Sequence, residues 1–451
     1  MTPNKSFNTH HLPAYVCFAF GLLLLALELH SISGHIGSDY RIFYNAALRF
    51  GRDAHDLYLP DSVRTLQGFL YPPPAIMLFV PFAVLPLDWS YRLFLVLLYV
   101  GGCAAMVIWA NLGKVNDKTG ALSGLGRINL VLLAAVSGPF FAAAAAGQVD
   151  ILVLLLCVAH IALVMRGRPV SGGLVLAAGF WIKIYPIVLL AYALSRRDAL
   201  RILAGFALGL IIVPLAVAPA IPFALYRTYF LDLLPKFSGN TIVNIYNQSL
   251  AAFYARLNVP LSTSVASFHV YAVPASIRLP LAAGAIAVAG GVSIATRFIK
   301  PATIPLLAMI LAIFAVVAPL GWGHTYVYML PLLCSTWLMG RATRSTLAHV
   351  LIGTTYLILL VPAYRVFPFD ARFPGLIYQV IYSRYLFSTL FLMAISAVLI
   401  RVQWSDMRRA NGRGGEYGHP GRDSRNATGS LNSLATSPPS LPSSANENTE
   451  P

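Results

Sequence analysis

The sequence predicts an all-α polytopic membrane protein with about twelve transmembrane helices. Three observations predict it. Of the 451 residues, 58% are hydrophobic and only 11% are charged, where a soluble chain carries roughly 25%. Apolar runs near 20 residues recur as far as about residue 400, and about 20 such residues cross a bilayer as a helix. Short basic clusters punctuate the runs. The formal net charge of +16, from 32 basic and 16 acidic side chains, therefore reads as orientation by the positive-inside rule. It does not read as a nucleic-acid surface.

The first run, from Pro13 to about His30, follows a single lysine (Lys5) and has no small-residue cleavage site behind it, so it reads as an uncleaved span. Residues 31–73 form a long external segment. "YPPPAIMLFVPFAVLP" reads as a short, proline-interrupted piece before a helix from about Asp88 to Asn111. The basic clusters Lys114/Lys118/Arg127, Arg166/Arg168, Arg196/Arg197/Arg201, Arg297/Lys300 and Arg341/Arg344, with the tail from Arg401, fix the rest. If all face the cytoplasm, residues 128–146 go out and 149–165 return, turning at "GQVD". Residues 201–221 go out and 278–298 return around a second external segment, 222–276. The pair 302–320 and 324–340 turns at "GWGH", and 346–362 and 379–400 turn around "RVFPFDARFPG".

The stretch 170–195 has basic clusters on both sides, so it must start and end inside. Two short helices broken near "WIKIYP" satisfy this, with Pro186 as the break. Such breaks are tolerated only where they line protein or a wet cavity. Both termini are then cytoplasmic. Residues 1–404 form the membrane-embedded domain, and 405–451, rich in Ser, Pro, Asn and Gly, form a disordered cytoplasmic tail. Cys17, Cys103, Cys157 and Cys334 all lie in apolar runs without a C-x-x-C pair, so neither disulfide framework nor zinc site is indicated.

Acids are scarce, with no glutamate between Glu28 and Glu416. Asp39, in "HIGSDYRIFYNAA", follows the first span. In a helix starting near Ser38, positions 39, 43, 46 and 50 share a face, giving an apolar stripe headed by an acid. The bland reading is an Asp complementing the helix dipole, worth ~0.3–1 kcal/mol. Lys183 sits at the proline break beside Tyr185. An ammonium in a span costs roughly 2.5–3.5 kcal/mol, so it either snorkels or holds an anion such as a phosphate. Gln148 and Asp150 of "GQVD" and His324 of "GWGHTY" fall on the same external side. Polar turns, with Asp150 capping the following helix, are the plain alternative. Asn247 and Gln248 of "YNQSL" lie in the second external segment, where "NQS" caps the helix "LAAFYARL". No Walker loop, dinucleotide-binding glycine set, serine elbow or D-x-D pair is present, which disfavours a soluble nucleotide donor.

"SDYRIFYNAALRFGRDAHDLY", with the later "FLYPPPAIMLFVPFAVLP", resembles the opening of glycosyltransferase family 87. "GQVDILVLLL", "GFWIKIYPIVLLAYALSRR" and "NQSL" follow in the family's order, so the resemblance covers roughly residues 35–330. Asp150 stands where the family often has Asn. The resemblance implies a bundle of the GT-C class with extracytoplasmic loop helices. It implies an integral membrane hexosyltransferase, mannosyltransferase-like, with a polyprenyl-phosphate-sugar donor. The acceptor would be an extracytoplasmic glycan or glycolipid, the transfer inverting, with neither metal nor cofactor. Asp39 takes the position of the general base, and Lys183, in "K-x-Y-P", that of a contact to the leaving phosphate. Tyr40, Tyr44, Gln148, Asp150, Tyr185, Asn247, Gln248 and His324 complete the expected substrate-binding set. Glu28, Asp150 and Asp232 are rival bases. The implied location is a bacterial-type inner (plasma) membrane. The alternatives are a secondary transporter, which would place ions near the midplane of two matching halves, and an enzyme moving whole lipid-linked oligosaccharides.

Overall fold

A computed structural model describes residues 12–59, 68–113, 124–260, 268–360 and 375–414. The chain divides into two units, Met1–Trp404 and Ser405–Pro451. In the second, residues 405–414 are helical. The last helix thus runs ten residues past the start of the expected tail, and the remainder of the tail lies outside the described residues.

Five helices are long and apolar enough to cross a membrane among the described residues, so the chain is a multi-pass membrane protein. They fall within α1 (Leu12–Ser33), α3 (Leu87–Gly113), α8 (Ala199–Val217), α10 (Ala275–Phe298) and α14 (Arg384–Gly414). The 22 residues of α1 rise about 33 Å, enough for a hydrocarbon core of about 30 Å. Between α1 and α3, Ser38–Arg52 forms α2, and "YPPPAIMLF" and the residues after it form two 3₁₀ turns, as their prolines require.

Residues 128–146 are not one straight helix. They form α4 (Gly124–Ala135) and α5 (Gly138–Ala146), bent by 52°. The signal is "SGP": Ser137 caps α5 by accepting from the Phe140 amide, and Pro139 sits in its first turn, where a missing N–H costs nothing. Shorter apolar helices follow at α6 (Asp150–Met165), α7 (Pro169–Ile182), α11 (Thr303–Val317) and α13 (Thr346–Leu360). Helices α6 and α11 are buried almost all round, which is why their sequences are apolar on every face. Helix α7 packs against α8 through Gly173, which faces the Ile202 carbonyl, and Gly205, which faces that of Val170. A side chain at either would collide with backbone, so small residues set this close crossing.

Helix α7 ends at Ile182 because the ring of Pro186 would clash with the carbonyl four residues back. Lys183 is extended, and residues 185–193 make a 3₁₀ turn and one turn of α-helix. The second half of the expected broken pair is therefore too short to be a span. Likewise 324–340 is a 3₁₀ segment, Gly323–Met329, leading into the 13-residue α12 (Leu330–Ala342). Helix length and composition thus support a polytopic bundle but not the count of about twelve spans. The segment 222–276 contains helical turns, an antiparallel pair β1 (Asn240–Val243) and β2 (His269–Ala272), and α9 (Leu250–Leu257), capped by Ser249 as its sequence suggests.

Candidate active site

Helix α2 buries Tyr40, Phe43, Ala46, Ala47 and Phe50 on one side. Phe43 stacks on Phe79, with ring centroids 4.5 Å apart. This anchored stripe leaves Asp39 at the head of the helix on the wall of a cavity of about 1020 Å³, at the top of the usual range for ligand pockets. Its side chain is 27% exposed.

Gly147 closes α5 in the left-handed region (φ +69°) that glycine adopts without penalty. The turn swings Gln148 back toward α2, where its Nε2 donates to Asp39 Oδ2 at 2.5 Å. Tyr71, in the "YPPP" motif, donates its hydroxyl to Gln148 Oε1 at 2.8 Å and so fixes the amide's orientation. Burial, with the charges of Asp150 and Asp39, holds the Tyr71 hydroxyl well above the ordinary phenol range. It remains a donor at any physiological pH.

Asp150 opens α6 but does not cap it. Its carboxylate, fully buried, takes two hydrogen bonds from Lys183 Nζ, at 2.7 and 2.9 Å. A third contact runs to His324 Nδ1 at 2.7 Å. The other face of His324 looks toward Asp39, with Nε2 at 3.8 Å from Oδ2. Lys183 also lies 5.7 and 5.4 Å from the ring centres of Tyr71 and Tyr185. A chain of contacts thus runs Tyr71–Gln148–Asp39–His324–Asp150–Lys183, drawing on five separate stretches of the sequence.

The structure brings Asp39, Gln148, Asp150, Lys183 and His324 together, and Tyr185 lines the same cavity. Others expected to touch substrate are placed elsewhere. Tyr40 is fully buried and hydrogen-bonded to Ser90, and Tyr44 donates to the Leu85 carbonyl; neither lines the cavity, because both brace α2 on its packed side. Asn247 is buried and pins Thr241, Ile242, Pro319 and Gly321. Gln248 lines the cavity, but its amide is taken by the Ile245 and Tyr382 carbonyls and the Tyr385 amide. Among the rival acids, Asp232 is exposed and away from the cavity, whereas Glu28 lines it from α1.

Sequence reasoning missed two features of the cavity and one residue that braces the segment beside it. Tyr71 sits in a motif quoted for its prolines. Arg384 and Tyr385 lie where α14 begins, in a run read only as a span. Arg256, only 1% exposed, bonds to the Asn244 and Asn247 carbonyls, Gln379 and Ser383, locking the segment 222–260 to residues over 120 positions away. No local signal marks such a residue. Among the described residues no group of three metal-ligating side chains occurs.

The sequence profile of glycosyltransferase family 87 matches residues 69–273. The polyprenol-phosphate-mannose-dependent alpha-(1-2)-phosphatidylinositol mannoside mannosyltransferase of Mycobacterium tuberculosis is 28% identical over 317 residues, 66% of this chain and 70% of that protein. Its counterpart from Mycolicibacterium smegmatis is 28% identical over 335 residues, 68% and 72% of the two chains. Among solved structures, ArnT from Cupriavidus metallidurans bound to undecaprenyl phosphate aligns with a TM-score of 0.43 at 16% identity, over 87% of this chain and 77% of that one.

Proposed function

We propose, from the premise that this chain is a member of glycosyltransferase family 87 and a polyprenyl-phosphate-dependent hexosyltransferase, that Asp39 is its general base. The sugar is mannose, as in the names of the two mycobacterial relatives, and the acceptor is an extracytoplasmic glycan or glycolipid. One observation carries the proposal: Asp39 is the carboxylate on the cavity wall that is both positioned and unneutralised. Asp150 is buried and spent on Lys183 and His324. Glu28 lies within a membrane span.

In the proposed reaction the acceptor hydroxyl oxygen attacks the anomeric carbon, its proton passing to Asp39. The bond from that carbon to the phosphate oxygen breaks, and the electron pair leaves with the polyprenyl phosphate. Gln148 and Tyr71 hold the carboxylate at a fixed angle. His324, held through Nδ1 against Asp150, turns Nε2 toward Asp39 Oδ2 at 3.8 Å, on the path by which the proton leaves Asp39 after transfer. General-base assistance of this kind contributes about 10²–10⁴-fold.

The polar residues support a rim site over a midplane carrier site. They stand at helix ends: Asp39 beyond α1, Gln148 between α5 and α6, Asp150 at the start of α6, Lys183 after α7, and His324 before α12. With the basic clusters inside, this end faces the extracytoplasmic side of a bacterial-type inner membrane. Residues 1–404 form the catalytic membrane domain.

The test supplies radiolabelled polyprenyl-phosphate mannose and cell-envelope glycolipids to purified protein. Asp39→Asn is expected to fold and lose turnover by about 10²–10⁴-fold, with Glu28→Gln largely active. Near-normal transfer by Asp39→Asn, with Glu28→Gln dead, transfers the role to Glu28.

A further inference from the structure

A sugar transferred from a lipid phosphate leaves an anion behind, and the cavity must hold it. Lys183 is poorly placed for that task. Both oxygens of Asp150 already occupy its ammonium. Asp39 shares the same wall, so the local charges of that wall cancel or fall below zero. A phosphate there would meet two carboxylates.

The opposite kind of wall exists at the start of α14. Arg384 lines the cavity. Its guanidinium lies 4.3 Å from the ring centre of Tyr385, and Nη2 donates to the Tyr385 hydroxyl at 3.1 Å. Its Nε is buried, and among the described residues it has no hydrogen-bond partner and no carboxylate pairs with it. A buried donor on a cation without an acceptor is costly unless a ligand supplies one. Tyr385 ties this group to the carboxylate wall. A Cβ built on Gly323, next to His324, would come within 3.0 Å of the Tyr385 ring.

We infer that Arg384 holds the phosphate of the lipid donor. The inference rests on reading the cavity as a site of glycosyl transfer. In-line displacement requires the base and the leaving group on opposite sides of the anomeric carbon. Asp39 on α2 and Arg384 on α14 supply the two signs of charge on separate elements. A planar guanidinium presents paired N–H donors that match phosphate oxygens, and stacking on Tyr385 holds that plane fixed.

The experiment titrates purified protein in detergent with farnesyl phosphate, and separately with farnesol, following tryptophan fluorescence. Arg384→Gln is expected to weaken farnesyl phosphate binding about ten- to hundredfold and leave farnesol unchanged. Arg384→Lys keeps the charge without the fork and should recover part of the loss. Unchanged phosphate affinity in Arg384→Gln overturns the inference, as does a parallel loss for farnesol, which marks a packing effect. Should Arg384→Gln not fold, Arg384→Lys decides: a severalfold selective loss of phosphate affinity supports the site, and none overturns it. Arg384-dependent phosphate binding in a protein that transfers no sugar would remove the enzyme reading and keep this site. Transfer that depends on Asp39, with phosphate affinity indifferent to Arg384, would do the reverse.

Discussion

Removing the Lys183 ammonium should destabilise the protein more than removing the charge of Asp150 at the same time. The structure sets the magnitude. At 2.7 and 2.9 Å, two unit charges attract by about 6 kcal/mol at an effective dielectric of about 20. Desolvation of each ion costs several kcal/mol, so the intact pair adds little net stability. Breaking it is another matter. Lys183→Met leaves the fully buried Asp150 carboxylate with His324 alone, and an uncompensated buried charge costs about 3–5 kcal/mol. In Lys183→Met/Asp150→Asn the charge is gone and an oxygen still accepts from His324, so most of that loss should return. Thermal unfolding in a mild detergent, followed by tryptophan fluorescence, gives the ranking: wild type highest, the double variant close below, Lys183→Met clearly lowest. If Lys183→Met unfolds at the wild-type temperature, or the double variant is the least stable, the pair is not what holds Asp150 in place. Lys183 would then be available to a ligand after all.

Two further outcomes follow from local geometry. Gly147→Ala puts a Cβ 2.6 Å from that of Tyr40 at a left-handed φ, so it should displace Gln148 from Asp39 and lower turnover at least tenfold with donor affinity preserved. Single-turnover kinetics against equilibrium binding separates the two effects, and a loss confined to affinity would count against the clamp. The extracytoplasmic assignment predicts that a cysteine at the exposed Asn258 reacts with an impermeant maleimide in cells with a permeabilised outer barrier. Labelling only after lysis would invert the topology.

What was legible in the sequence is what local chemistry dictates. Asp39, Phe43, Ala46 and Phe50 lie on one face by helical spacing, and α2 buries that stripe below its acid. The Pro186 break ends α7 at Ile182, inside the "WIKIYP" motif. Ser249 caps α9. What stayed hidden depends on distant partners. Lys183 could be recognised as needing an anion, but nothing local says that Asp150, 33 positions earlier, provides it. Arg384 reads as the basic edge of a span until the cavity it lines is known. Tyr40 and Tyr44 alternate with cavity-facing positions, and only the packing of α2 on Ser90 and Leu85 shows which way they turn.

The contact chain from Tyr71 to Lys183 has a bearing on biogenesis. Its links join residues 109 and 174 positions apart. Asp39 enters the membrane early in synthesis, but His324 and Arg384 arrive only after most of the chain has been inserted. A nascent or truncated protein therefore carries the acid without the imidazole proposed to take up its proton and the guanidinium proposed to hold the leaving phosphate. Such a protein cannot squander lipid-linked sugar on water during its own assembly. By the same logic, two separately expressed halves divided near residues 261–267 should each be inert and regain transfer only on pairing in one bilayer.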